Sequence, residues 1–181
     1  MKVVYVTGCL GFIGAYVTRE CLNKGWLVYG IDKCTYAADP SLLDEFNQYD
    51  NFRFEKKDIK EISTLKDCDY IINVAAETDS LKPSNPYSAS KACADMLIFA
   101  WARTYKIHFN IIRPTNNYGI GQYPEKLIPL SIKSLQRGRK IRLHNDGTPI
   151  RNWLHAADTA SAVIKIIEHG SVDEIYNVAG G

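Results

Sequence analysis

Tyr87 and Lys91 stand four residues apart, the spacing that puts two side chains on one face of a helix. A free tyrosine titrates near pH 10. A neighbouring cation such as a lysine ammonium favours the phenolate and pulls that value down. Such a tyrosine can take or give a proton near neutral pH, as a general base or acid. On its own, Tyr-x-x-x-Lys also describes two solvated helix side chains. It gains meaning from what precedes it.

Gly8, Gly11 and Gly14 follow the apolar run Val3-Val4-Tyr5-Val6. In a strand–turn–helix unit, the first glycine permits the tight turn. The second lets backbone approach a pyrophosphate, and the third lets helix and strand pack closely. The free N–H groups at the helix start then face the phosphates. Asp32 lies 18 residues beyond Gly14, near the ~20 expected for the acid that receives the adenosine ribose hydroxyls. A carboxylate there favours NAD over NADP, and Lys33 beside it blurs that preference. A glycine turn that is merely structural is the alternative. Asp58 closes the next strand and suits the adenine amino group, while Ala75 and Ala76 leave room for the cofactor. These are strand ends, where ligands lie in open α/β sheets.

The last third is rich in cations: Lys126, Lys133, Arg137, Arg139, Lys140, Arg142 and Arg151. Several read as solvated, with Arg137 and Arg139 suited to a helix C-terminus. Arg151 follows a Gly147-Thr148-Pro149 turn, which would hold a guanidinium for bidentate diphosphate binding. His108, His144, His155 and His169 show no metal-ligand spacing, and no metal is expected.

The elements that must position these groups alternate. Strands are predicted at 3–6, 27–31, from 52 to Asp58, and at 70–74 ending in Ala75-Ala76. A helix is expected to run to about Asn23, with Gly25 at its C-terminal end. Continuous apolar strands between helices predict a doubly wound parallel α/β sheet. After the loop Lys82-Pro83-Ser84-Asn85-Pro86, a helix is predicted from Tyr87 to about Tyr105, then a strand at 109–113. A helix after Pro124, a short strand at 141–143, a helix near 158–168 and a strand at 175–178 follow. No linker is evident, so residues 1–181 read as one NAD-binding domain.

With 181 residues, 46% hydrophobic and 23% charged, the chain is an ordinary globular one large enough for a single core. Net charge of +2 gives no reason to expect nucleic acid. No stretch reads as a membrane span or signal peptide. Five cysteines, none in a Cys-x-x-Cys pair, suit a reducing cytoplasmic setting better than a disulfide framework or zinc site.

The glycine turn, Asp32-Lys33-Cys34-Thr35-Tyr36-Ala37, Pro86-Tyr87-Ser88-Ala89-Ser90-Lys91-Ala92, Asn116-Asn117-Tyr118-Gly119, Tyr123-Pro124-Glu125-Lys126-Leu127-Ile128-Pro129-Leu130 and Ile150-Arg151-Asn152-Trp153-Leu154 form a series. That series closely resembles the extended short-chain dehydrogenase/reductase superfamily. Within it, the chain is most similar to the dTDP-glucose 4,6-dehydratases and their UDP-glucose-using relatives. The resemblance implies a Rossmann-like NAD-binding fold, a nucleotide-sugar substrate and a homodimer where the full family fold is present. Phe12, Ile13, Asp32, Lys33, Thr35, Asp58, Ile59, Ala75, Ala76, Tyr87, Lys91 and Asn117 would touch NAD. Asn116, Lys126, Leu127, Ile128, Pro129, Leu130 and Arg151 would touch the sugar nucleotide, in a portion beginning at about 116–155. Arg142 and His144 fall where the family carries proline and tyrosine beside the base, which leaves the base open.

Two departures stand out. The family carries a Thr-Asp-Glu triplet on a strand between the Ala-Ala segment and the tyrosine helix. The threonine orients the sugar, and the acid pair drives loss of water. Here Glu77-Thr78-Asp79 follows Ala76 directly, and belongs either to that segment or to the loop before Tyr87. Thr78 is assigned to the substrate. About two βα units of ~30 residues are missing at this point. The family also continues past Gly181 into a substrate lobe. A parallel sheet without its central strand exposes hydrogen-bonding edges, which favours a sequence that is part of a longer one. The expected reaction is 4,6-dehydration of a dTDP- or UDP-hexose. The alternatives are a non-catalytic nucleotide-binding remnant and a C4 epimerase, which needs no acid pair.

Overall fold

The computed structural model describes residues 1–58, 61–62, 66–74, 86–141 and 143–180. Side chains at 86–88, 90, 91, 94, 97, 101, 144 and 145 lie outside that description.

Four strands form the first sheet: β1 (Val3–Thr7), β2 (Leu27–Asp32), β3 (Phe52–Lys56) and β4 (Tyr70–Asn73). Their order is β3-β2-β1-β4 and every pairing is parallel. Parallel neighbours need crossovers, and α1 (Phe12–Asn23) supplies the one from β1 to β2. It buries Gly14, Ala15, Val17, Thr18, Cys21 and Leu22 against the sheet. The helix ends at Gly25 as its sequence suggests, with the Gly25 N–H reaching the Leu22 carbonyl. The next crossover holds only a short helix, α2 (Leu42–Phe46). Arg19 on α1 grips Glu45 on α2 with two hydrogen bonds of 2.5 and 2.7 Å. That grip holds the Glu45 carboxyl below the usual carboxylate range.

A long helix, α3 (Pro86–Tyr105), leads to β5 (Asn110–Pro114), which pairs in parallel with β8 (Glu174–Val178). A third parallel pair joins β6 (Asn116–Tyr118) to β7 (Trp153–His155). Between them lies α4 (Leu127–Gln136), and α5 (Ala156–His169) follows β7. Alternating apolar positions on α5 bury Ala160, Val163 and Ile164 in the same core as α1, Phe46 and Phe52. Lys24 Nζ sits 3.0 Å from Glu168 at the far ends of α1 and α5.

The doubly wound parallel reading holds. Several boundaries move. The third strand stops at Lys56, two residues before Asp58, and the fourth at Asn73. The strand expected at 141–143 is a correction: Ile141 and Leu143 are neither helix nor strand, and a 3-10 turn follows at His144–Gly147. Ile141 and Leu143 are exposed, and neither joins any of the three sheets formed by the described residues. Arg142 lies outside the described residues. Strands β6 and β7, three residues each, escaped the sequence reading because such short runs carry no periodicity.

The parallel sheet is divided. Among the described residues β4 pairs only with β1, and β5 only with β8. Ile71 in β4 is 55% exposed, unlike the continuous burial in β1. No helix among the described residues is long and apolar enough to cross a membrane.

Burial pushes the Cys9 and Cys21 thiols up to about 12, whereas Cys93 is exposed. The thiolate is the reactive form. Under native conditions a maleimide should therefore label Cys93 first and spare Cys9 and Cys21 until denaturant is added. Peptide mapping by mass spectrometry reads the order, and early labelling of Cys9 would contradict this packing.

Candidate functional site

The strand order places one reversal between β1 and β4, where the chain leaves one side of the sheet for the other. Ligands of open α/β sheets bind in the crevice at that point, beyond the strand C-termini. Thr7 and Asn73 mark it, with the Thr7 hydroxyl donating to Asn73 Oδ1 at 2.6 Å.

The glycine turn lies at the mouth of this crevice. Gly8 has φ +71°, a conformation open to glycine and strained for other residues. Its N–H donates to the Ile31 carbonyl at 2.7 Å, tying the turn to β2. A β-carbon at Gly14 would overlap the Gly8 carbonyl oxygen and lie 2.7 Å from its carbon. The Gly14 position is therefore closed to every other residue. Gly11 is the N-cap of α1 and, lacking a side chain, leaves the first N–H groups of the helix uncapped. Those donors and the helix dipole suit a phosphate.

Asp32 ends β2 and is only 8% exposed. One oxygen accepts the Leu10 N–H at 3.1 Å and the other the Cys34 N–H at 2.7 Å. The carboxylate is thus locked beside the turn, with lone pairs left for a ribose diol. Lys33 Nζ lies 3.5 Å from Asp58 Oδ2, so these two predicted contacts meet each other. Thr35 caps a turn by accepting the Ala38 N–H on its carbonyl.

Helix α3 carries Tyr87 and Lys91 within its first two turns. Their side chains lie outside the described residues, as do Ile59, Ala75, Ala76, Glu77, Thr78, Asp79 and Arg142. The side chain of His144 does too, in its 3-10 turn. Further along the helix, Asp95 accepts Arg113 Nη2 of β5 at 2.8 Å, a largely buried pair that sets how the helix sits on that strand. The sequence reading missed it. The available signal was Asp95 standing four residues beyond Lys91, on the same helix face.

Asn116 and Asn117 lie on β6. The Asn117 amide donates to the Thr115 carbonyl at 2.8 Å and accepts the Thr159 hydroxyl at 2.6 Å. One N–H of that amide is left for a ligand. Lys126 is the N-cap of α4, and Leu127, Ile128, Pro129 and Leu130 form its first turn. That helix buries none of its residues, and Leu127 and Leu130 are exposed. Arg151 is exposed and donates only to the adjacent Ile150 carbonyl at 3.1 Å among the described partners. It follows the Gly147-Thr148-Pro149 turn, two residues before β7 begins at Trp153. His155 caps α5 by accepting the Ala157 N–H on Nδ1, and His108 pairs with Asp173 at 3.0 Å. Both are structural.

Residues 4–80 and 76–179 match the NAD dependent epimerase/dehydratase family. The chain belongs to that family. Its match comes in two pieces that meet at 76–80, where the sequence reading places the missing segment. The chain is 30% identical to the dTDP-glucose 4,6-dehydratase of Neisseria gonorrhoeae, covering 99% of this chain and 73% of the relative. That alignment spans 252 positions for a chain of 181 residues, so it opens wide internal gaps. The fold superposes on the Bacillus anthracis dTDP-glucose 4,6-dehydratase solved in complex with NAD, with a TM-score of 0.89 at 29% identity over 100% of this chain and 76% of that one. It also superposes on the Bacillus cereus UDP-glucuronic acid 4-epimerase, at a TM-score of 0.90 over 100% and 78% of the two chains. At 20% identity that likeness speaks for the fold alone.

Two outcomes follow from the turn and its acid. Gly14→Ala should abolish NAD binding and lower stability, because the helix must move off the strand. Titration calorimetry and thermal melts read both effects, and unimpaired binding would contradict the close approach. Asp32→Ala should weaken NAD by about 1–3 kcal/mol, the cost of unpaired ribose hydroxyls, and NADP less. It also frees the Leu10 and Cys34 N–H groups, so affinities should be compared at equal folded fraction. Equal losses for the two cofactors would show that Asp32 does not read the ribose.

Proposed function

We propose that this chain is a nucleotide-sugar 4,6-dehydratase that uses NAD and acts on a dTDP- or UDP-hexose. The observation that carries the reading is the locked assembly of Gly8, Gly14 and Asp32 at the sheet's reversal point. Sequence identity to a dTDP-glucose 4,6-dehydratase across 99% of the chain supports the substrate class. The cofactor fits the residues present: the glycine cradle is one that a β-carbon would fill, the α1 donors are uncapped, and Asp32 faces the same crevice.

In this reading Asp32 holds the adenosine ribose, and the α1 N-terminus holds the pyrophosphate. Asn117, fixed by Thr115 and Thr159, offers its remaining N–H to the cofactor. Tyr87 takes the proton from the C4 hydroxyl, with the Lys91 ammonium favouring its phenolate form. NAD held there would supply the hydride acceptor for C4 and the hydride donor for C6. Loss of water between C5 and C6 needs a base for the C5 proton and an acid for the leaving hydroxyl. Glu77 and Asp79 are the carboxylates that the sequence supplies between β4 and α3. Asn116, Lys126–Leu130 and Arg151 serve the sugar nucleotide.

The family match that breaks at 76–80 favours one second reading, a nucleotide-binding protein without turnover. Incubation with NAD and dTDP-glucose or UDP-glucose separates the readings. A 4-keto-6-deoxy product supports dehydration. NAD binding without product supports the second reading, and a product that keeps its 6-hydroxyl indicates epimerisation.

Tyr87→Phe removes only the phenolic oxygen, so NAD should still bind while turnover falls by roughly 10²–10⁴. Lys91→Ala should raise the pH at which residual activity appears and weaken the cofactor. The two losses should not add, since both residues serve one proton transfer. pH–rate profiles of the three proteins give the answer. Near wild-type hydride transfer in Tyr87→Phe would leave this helix as scaffold.

A further inference from the structure

The sequence reading passes over Tyr16, yet it joins two parts of the molecule far apart in the chain. It lies one helical turn beyond Phe12 on α1, the helix whose N-terminus follows the glycine turn. Its hydroxyl donates to the Ile120 carbonyl at 3.1 Å. Its ring meets Phe12 edge-on at 5.8 Å and His155 edge-on at 5.7 Å, and the Arg19 guanidinium lies 5.7 Å over its face. His155 cannot turn away freely, because Nδ1 accepts the Ala157 N–H at 3.2 Å and Tyr118 packs edge-on against the ring at 5.2 Å. Gly119 makes the approach possible. Its φ is +152°, and a β-carbon there would sit 3.0 Å from the Tyr16 hydroxyl and 3.1 Å from His155 Nε2.

A second tie runs parallel to the first. Tyr36, four residues beyond Asp32, is 77% exposed and meets Tyr123 edge-on at 5.4 Å. Both ties begin on segments proposed to hold the dinucleotide. Both end on residues 119–123, which lead directly into Lys126–Leu130. Gln122 secures the same stretch by donating to the Asn117 carbonyl at 2.7 Å.

We infer that Tyr16 is a positioning residue that couples occupancy of the dinucleotide crevice to the order of residues 119–126, and through them to affinity for the nucleotide sugar. The last step rests on the function proposed above. A ligand that stills the start of α1 and the Asp32 loop also stills the anchor points of 119–123. A second ligand that needs this stretch ordered then meets less of that ordering cost, so the two bind cooperatively and reciprocally.

Tyr16→Phe keeps the ring contacts and deletes the hydrogen bond to Ile120. In wild type, NAD should slow amide hydrogen exchange across 119–126, where the Gln122 and Lys126 N–H groups bond the Gly119 and Tyr123 carbonyls. In Tyr16→Phe, NAD should still protect the glycine turn while its effect on 119–126 shrinks several-fold. The factor by which NAD tightens dTDP-glucose binding should fall about fivefold, in line with one lost hydrogen bond. A merely structural tyrosine would lower stability and leave that factor alone. An absent NAD effect on 119–126 in wild type, or an undiminished one in Tyr16→Phe, overturns the inference. Tyr36→Ala, at an exposed position, cuts the second tie and should give a partial loss of the same protection. If Tyr16→Phe does not fold, undiminished protection in Tyr36→Ala overturns the inference as well. Failure of dTDP-glucose to bind wild type would count against the nucleotide-sugar reading only, because the exchange measurement uses NAD alone.

Discussion

The close approach of Gly14 to the Gly8 carbonyl governs the rest of this structure. It brings α1 down onto β1, which aims uncapped helix N–H groups at the crevice. It also lets the Gly8 N–H reach Ile31 on β2. The same descent leaves room for Leu10 to donate to Asp32, so the acid and the turn form one unit. Packing density makes such an arrangement unforgiving, since no neighbouring backbone atom can yield to an added methyl. The core beneath the turn, from Val4 and Cys9 to Val163 on α5, follows from that contact.

The second organising feature is the divided sheet. The part from β3 to β4 is well covered on the β2 side and thins towards β4, where Ile71 faces solvent. The part built on β5 and β8 is joined to it by helices: α5 packs on α1, and Asp95 of α3 holds Arg113 of β5. Both parts fall within the one superposition on the Bacillus anthracis relative, which covers 100% of this chain. Side-chain packing between helices thus keeps an arrangement that backbone pairing does not span among the described residues. The break at 76–80 in the family match falls at the same place. Any account of the dehydration step turns on this region, because a carboxylate pair must stand near the tyrosine.

The nucleotide half was legible because its signals are local. Turn, helix start and strand end each need a particular residue type within a short stretch, and Gly8, Gly11, Gly14 and Asp32 supply them. The second half was harder. Strands β6 and β7 are too short to show a period, and their pairing joins residues 37 apart in the chain. A strand expected at 141–143 was suggested by alternation alone, and Ile141 and Leu143 join none of the sheets of the described residues.

Sequence alone determined the fold class, the glycine cradle and the acid at the end of β2, since each depends on backbone geometry that neighbouring residues dictate. It also located the interruption after Ala76, from the order and spacing of motifs. Only the tertiary structure decided which polar groups are already engaged. Asn117 is held by Thr159, Asp95 by Arg113, and Tyr16 by Ile120. These outcomes depend on which side chains the crossovers bring within about 3 Å of each other. Distance along the chain carries almost no information about that.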